Sequence, residues 1–187
     1  MRVIGGNSRG RRLKAPKGRY VRPTAARVKE ALFNILPRDL SGMKVLDLFA
    51  GTGNVTIEAL SRGAAEAILV DSSAASGKAI RDNLRRLHLV GRAKVWIIPV
   101  SRAVRRLARR EEKFDMIFLD PPYGLRLVET TLKIIAEGGL LRESGVLIAE
   151  HGVRDAVEER YGALALDDQR RYGDTLLSFF KQETRDS

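Results

Sequence analysis

Short apolar runs recur through the middle of the chain, "KVLDLFA", "AEAILVD", "AKVWIIP", "FDMIFLD" and "SGVLIAE", separated by helical patterns near 54–62, 73–89, 101–110 and 126–138. Near-continuous apolar runs suit strands that are covered on both faces. Their alternation with helices predicts a parallel sheet flanked by helices on both sides. Ahead of it, "RPTAARVKEALFNIL" sets Val28, Ala31, Leu32, Ile35 and Leu36 on one helical face behind Thr24, the expected N-cap of a docking helix. Behind it, "ERYGALALDDQRRYGDTLLSFFKQ" holds no long helix and predicts two closing strands, the last being "TLLSFFK". "YGDT" reads as the hairpin turn between them, which gives Tyr172 and Asp174 a structural role. The chain shows no internal repeat, low-complexity tract or second domain.

Two run ends carry chemistry. "FDMIFLD" stops at "PPYGLR", and proline neither donates to a ladder nor lets the preceding residue continue freely, so Asp120 sits at a strand's C-terminal tip. Ligands bind at that edge in open α/β sheets, which places Asp120 and Tyr123 to touch something. The first run leads into "DLFAGTGNVTIEALSRG", with Asp47 near the strand end, Gly51 and Gly53 in the turn and a helix opening near Asn54. Glycines there let backbone approach a ligand, and the helix start offers free N–H groups. The second run ends at Asp71, twenty residues after Gly51, where a carboxylate accepts bonds from ribose hydroxyls or, on the plainer reading, caps the helix after Ser72.

These features imply a nucleoside cofactor, and details separate the candidates. The third position of a dinucleotide fingerprint would be Thr56, where Gly or Ala is needed. Asp47, four residues before Gly51, would repel a pyrophosphate but suits a cofactor with a cationic amino-acid end. S-adenosylmethionine has that end and a sulfonium besides. An exocyclic base amine is a poor nucleophile because its lone pair is delocalised, and an acceptor pair beside it would help. Asp120 and the Pro121 carbonyl can accept both amino protons, while Tyr123 stacks on an unstacked base.

Composition adds a partner and removes several classes. The chain has 187 residues, 44% of them hydrophobic, enough for one domain with its own core plus a modest extension. It has no cysteine and only His88 and His151, so no disulfide, no metal site and no serine triad is expected, and both histidines read as structural or surface residues. No run is long enough for a membrane span and no signal peptide is evident, so a cytoplasmic monomer is expected. The net charge is +11, and residues 1–41 alone hold 11 Lys/Arg against two acids. Such a lopsided segment reads as an arm on phosphates, or more plainly as a basic tail kept for solubility. Its candidate contacts are Arg2, Arg9, Arg11, Arg12, Lys14, Lys17, Arg19 and Arg22, with Gly5, Gly6 and Gly10 expected to let it bend onto folded RNA.

"DLFAGTG" with "DPPY" resembles the class I methyltransferases of nucleobase amino groups. The start "RVIGGNSRGRRLKAPKGRYVRPTAARVKEALFNIL", "LDLFAGTGNVTIEALSRGA", "FLDPPY" and "YGDT" together resemble the RsmD-type family, which methylates guanine N2 in small-subunit (16S) rRNA; the likeness covers residues 1 to 180. The resemblance implies a Rossmann-like α/β fold: a seven-stranded, mostly parallel sheet with helices on both faces, an antiparallel last strand and a basic N-terminal extension. It implies a 1–41 RNA-binding extension with docking helix and a 42–183 methyltransferase domain. It implies S-adenosylmethionine held by Asp47, Phe49, Gly51, Gly53, Asp71, Ser72, Ser101, Ala103 and Asp120, and an amine held by Asp120, Pro121, Pro122 and Tyr123. The implied partner is 16S rRNA or the assembling small subunit; a DNA or tRNA amino-methyltransferase and a non-catalytic RNA-binding assembly protein are the alternatives. One position departs: Arg102 stands where related enzymes often carry an acid or amide for the adenine amine, so the backbone beside Ala103 or apolar contact would hold that ring instead.

Overall fold

The computed structural model describes residues 1–14, 23–122 and 126–183. Strands β1 (Lys44–Leu48), β2 (Glu66–Asp71), β3 (Ala93–Ile97), β4 (Phe114–Leu119) and β5 (Leu141–Gly152) run parallel, as the apolar runs predict. Helices α1 (Pro23–Ile35), α2 (Asn54–Ser61), α3 (Ala74–Arg86), α4 (Val100–Ala108) and α5 (Leu127–Gly138) complete the α/β pattern. Strands β6 (Arg160–Tyr161), β7 (Leu164–Tyr172) and β8 (Thr175–Gln182) close the sheet in the order β3-β2-β1-β4-β5-β8-β7-β6. β8 inserts antiparallel between β5 and β7.

Among the described residues the sheet has eight strands, where seven are expected. The extra one, β6, pairs only Arg160 and Tyr161 with Ala165 and Leu164 around Gly162, whose φ is +58°. Two residues are too few for any periodicity to reveal. The docking helix also begins earlier than expected. Pro23 opens α1 in the position where its missing N–H costs nothing, so Thr24 lies inside the first turn and is not the cap.

Side chains alternate across each strand and feed two cores. Val45, Leu69, Met116, Phe118 and Ile148 point toward α1, α2 and α3, whereas Leu46, Leu48, Val70, Ile117 and Leu147 point toward α4 and α5. The first of these cores also takes Val3 and Leu13 from the N-terminal extension. Residues 1–14 fold back on themselves through an Arg2–Arg12 bridge and bonds from Val3 N–H to Arg11 and from Gly10 N–H to Val3.

One buried carboxylate holds this segment down. Glu58, fully buried on α2, accepts the N–H groups of Ile4 at 2.8 Å and Gly5 at 2.7 Å, and also bonds Lys29 Nζ and Arg62 Nε. Lys29 is itself buried and donates to the Arg2 carbonyl at 2.6 Å and to Asn54. Arg62 lies over the Phe33 ring at 4.8 Å, which brings α1 into the same cluster. Burial lowers the Lys29 pKa even with Glu58 beside it. Of the segment's glycines, Gly5 and Gly6 permit close approach to α2 and Arg62, whereas Gly10 has open space around it. Gly6 has φ +69°, and a Cβ there would lie 1.8 Å from the Ser61 carbonyl oxygen.

Breaking this pair strands a buried cation and two amides. Glu58→Ala is therefore expected to cost about 3–5 kcal/mol in denaturant unfolding, with fast hydrogen exchange at Ile4 and Gly5.

Candidate functional site

The turn after β1 is built from left-handed backbone. Phe49, Gly51 and Gly53 have φ of 65°, 58° and 73°, and glycine adopts this region freely. Phe49 does not, and a phenylalanine held there costs roughly 1–3 kcal/mol, a strain that clusters at ligand sites. The surroundings enforce it: Ala50 N–H donates to the Val70 carbonyl, Gly53 N–H to that of Ala50, and Phe49 packs among the second core. A Cβ on Gly53 would stand 3.1 Å from the Leu69 side chain, so the turn sits tight on β2 before α2 begins.

Carboxylates converge around this turn. Asp47 is buried, and Thr56 donates to its Oδ2 at 2.6 Å. Burial, and then the charges of Asp120 and Asp71, push the Asp47 carboxyl up to about 7 against the opposing effect of Thr56. The Thr56 that spoils a dinucleotide fingerprint thus has a positive use. Asp71 is buried rather than open at a strand tip: its Oδ2 accepts Gly51 N–H at 2.9 Å and its Oδ1 accepts Ser73 N–H at 2.8 Å. Ser73, accepting from Ser76, is the cap of α3, so Asp71 does not cap that helix. Each Asp71 oxygen keeps a second lone pair for a hydroxyl.

Asp120 is exposed, and its N–H reaches back to the Leu48 carbonyl at 3.4 Å. Pro121 is buried and Pro122 exposed; Tyr123 lies outside the described residues. A fourth acid stands beside Asp120. Leu119 pairs with Ala149, so Asp120 and Glu150 each follow a paired position and share a sheet face. Burial first, then the charge of Asp120, pushes Glu150 up to about 8. A carboxyl kept protonated near neutrality donates as well as accepts.

At the β3 edge, Ser72, Ser101 and Arg102 are exposed and Ala103 is fully buried. The amides of Arg102 and Ala103 both donate to the Pro99 carbonyl, which commits them to α4 and leaves neither for an adenine. Arg2, Arg9, Arg11, Arg12 and Lys14 are exposed, and among the described residues none joins an ion pair; Lys17, Arg19 and Arg22 lie outside those residues. Of the two histidines, His151 is buried with Nε2 2.8 Å from Ser178 Oγ, while His88 is exposed.

Sequence reasoning passed over two residues here and read a third, Thr56, only as a break in a fingerprint. Glu150 ends an apolar run as Asp120 does, a signal present in "SGVLIAE" but unmarked by prolines. Asn83 of α3 receives Lys14 N–H, and its amide donates to the carbonyls of Lys14 and Thr52, which ties the extension to the glycine turn. Thr56, as above, holds Asp47.

Comparison with known proteins identifies the family of the chain. The family model described as conserved hypothetical protein 95 matches residues 1–181. The chain is 40% identical over 182 residues to YlbH of Bacillus subtilis, provisionally named an rRNA methyltransferase, covering 97% of this chain and 99% of that one. It is 32% identical over 185 residues to the ribosomal RNA small subunit methyltransferase D of Escherichia coli, covering 99% and 91%. The solved structure of Escherichia coli yhhF, provisionally titled a methyltransferase, superposes with a TM-score of 0.84 at 28% identity over 98% of each chain.

The raised Asp47 carboxyl has a pH signature. Its folded pKa of about 7 exceeds the ordinary 3.8, so it contributes stability at low pH that is lost as pH rises through about 7. Relative to Asp47→Asn, the wild type is therefore expected to lose thermal stability between those values and to level off above them. Melting both proteins across that range checks this, and parallel curves would refute it.

Proposed function

Because the chain belongs to the family described as conserved hypothetical protein 95, we propose that it transfers a methyl group from S-adenosylmethionine to the exocyclic N2 amine of a guanine in 16S rRNA. The observation that carries this reading is the crowding of Asp47, Asp71, Asp120 and Glu150 at one sheet edge around a strained glycine turn. Such a site is short of positive charge, and a donor with an ammonium and a sulfonium supplies it. S-adenosylmethionine brings a methyl group on cationic sulfur.

In this reading the glycine turn and Asp47 receive the amino-acid end, Asp47 giving up its proton as positive charge arrives. Asp71 offers its remaining lone pairs to the ribose. With the amides of Arg102 and Ala103 committed to α4, apolar contact holds the adenine. The Asp120 carboxylate and the Pro121 carbonyl accept the two amine protons, which localises the nitrogen lone pair and aims it at the methyl. Asp120, being exposed, passes to water the proton that the methylated amine sheds. Glu150, protonated near neutrality, donates to an acceptor on the base. The exposed cations of the extension grip phosphates, and the protein acts as a cytoplasmic monomer on free 16S rRNA or on the assembling small subunit. Among the described residues, no helix is long and apolar enough to cross a membrane.

Labelled donor incubated with free 16S rRNA, immature and mature small subunits, tRNA and DNA tests the reading. Label is expected in small-subunit RNA and, after digestion, in N2-methylguanosine. Label entering DNA or tRNA instead, or none at all, would overturn it. Asp120→Ala is expected to lower turnover by roughly 100-fold or more while leaving S-adenosylhomocysteine affinity within a few-fold, as calorimetric titration and single-turnover assays would read.

A further inference from the structure

A cationic surface apart from the basic extension lies along α4. From Ala93 to Arg110 the chain carries Lys94 and five arginines and not one acid. Arg102, Arg105 and Arg106, followed by Arg109 and Arg110 in the turn that caps α4, recur at three- and four-residue intervals, which stacks them on one side of the helix. All five are exposed, while Val100, Ala103, Val104 and Leu107 on the opposite side fill the second core. Among the described residues none of the five joins a salt bridge. The nearby Glu112 pairs with Lys44 Nζ at 2.6 Å and offers Arg110 only a weaker attraction through space. Arg106 lies over the Trp96 ring at 4.9 Å, which fixes one guanidinium in the row.

This arrangement opposes the helix's own stability. Like charges three and four residues apart repel, and Arg102 sits near the helix's positive end. A helix that needed only solubility would intersperse acids, as α3 does with Asp82 beside Arg85 at 2.8 Å. An unrelieved row of guanidinium groups matches a polyanion with regularly spaced charges, which phosphates supply and which arginine engages through paired donors. The location adds direction. The extension packs on the α2 and α3 side of the sheet and α4 on the other, with the strand tips between them.

We propose that the α4 arginine row is a second RNA-docking surface, so that the substrate backbone is held on both faces of the sheet across the carboxylate edge. The proposal rests on the reading of the protein as an rRNA methyltransferase. The two are separable, because wild-type labelling of 16S rRNA tests the reading without reference to α4.

The test uses the full chain and the triple variant Arg105→Gln/Arg109→Gln/Arg110→Gln, which spares Arg102 at the donor edge and Arg106 on Trp96. Affinity for 16S rRNA is measured at several salt concentrations. Each lost phosphate contact flattens the slope of log affinity against log salt by about 0.7 to 0.9, so a loss of about two is expected. The corresponding triple lysine variant should retain most of that slope, and S-adenosylhomocysteine affinity and thermal midpoint should match wild type. An unchanged slope and affinity would overturn the proposal. So would loss of binding to anionic phospholipid vesicles with RNA binding intact, since the row would then serve a membrane surface.

Discussion

Four parallel strands, held in register, bring their carboxyl ends to one level, and the structure then crowds acidic side chains at that level on a single face. Asp47, Asp71, Asp120 and Glu150 come from β1, β2, the end of β4 and β5, so their proximity belongs to the sheet and to no local segment. Burial and mutual repulsion make the ionised state of this edge unfavourable, which is why Asp47 and Glu150 hold their protons far above the ordinary carboxylate range. Positive charge brought to this edge would relieve that penalty. The tension built into this acidic edge would therefore favour positive charge there, with a proton given up in exchange.

The left-handed Phe49 belongs to the same economy of strain. Its conformation turns the chain sharply out of β1 so that Gly51 N–H meets Asp71 and α2 starts under the turn. Asn83 then links this turn to Lys14. A segment that looks peripheral in the chain is wired through the Asn83 side chain to the backbone of the glycine turn.

What the residues alone disclose follows physical range. The five apolar runs, the glycine turn and the proline-marked tip at Asp120 are local patterns, and the sheet built from them has the expected parallel order with β8 antiparallel. β6 is too short to leave a pattern. Asp71 lies at the expected strand end, but its burial and its two backbone partners come from the turn folding over it. Glu58 is the clearest case of concealed information. In "TIEALSRG" it reads as an ordinary helical acid, and only amides more than fifty residues away reveal that it is buried. Glu150 was visible as a run end yet carried no second mark to distinguish it.

The docking of the N-terminal hairpin also sets an order of events during synthesis. Ile4 and Gly5 leave the ribosome early but have no acceptor until Glu58 exists, and Lys14 waits for Asn83. The segment is therefore locked only after α2 and α3 are in place. Both of its anchors precede β4, however. By these bonds, docking of the hairpin around the glycine turn needs only α2 and α3, and does not involve the strand that ends beside Asp120.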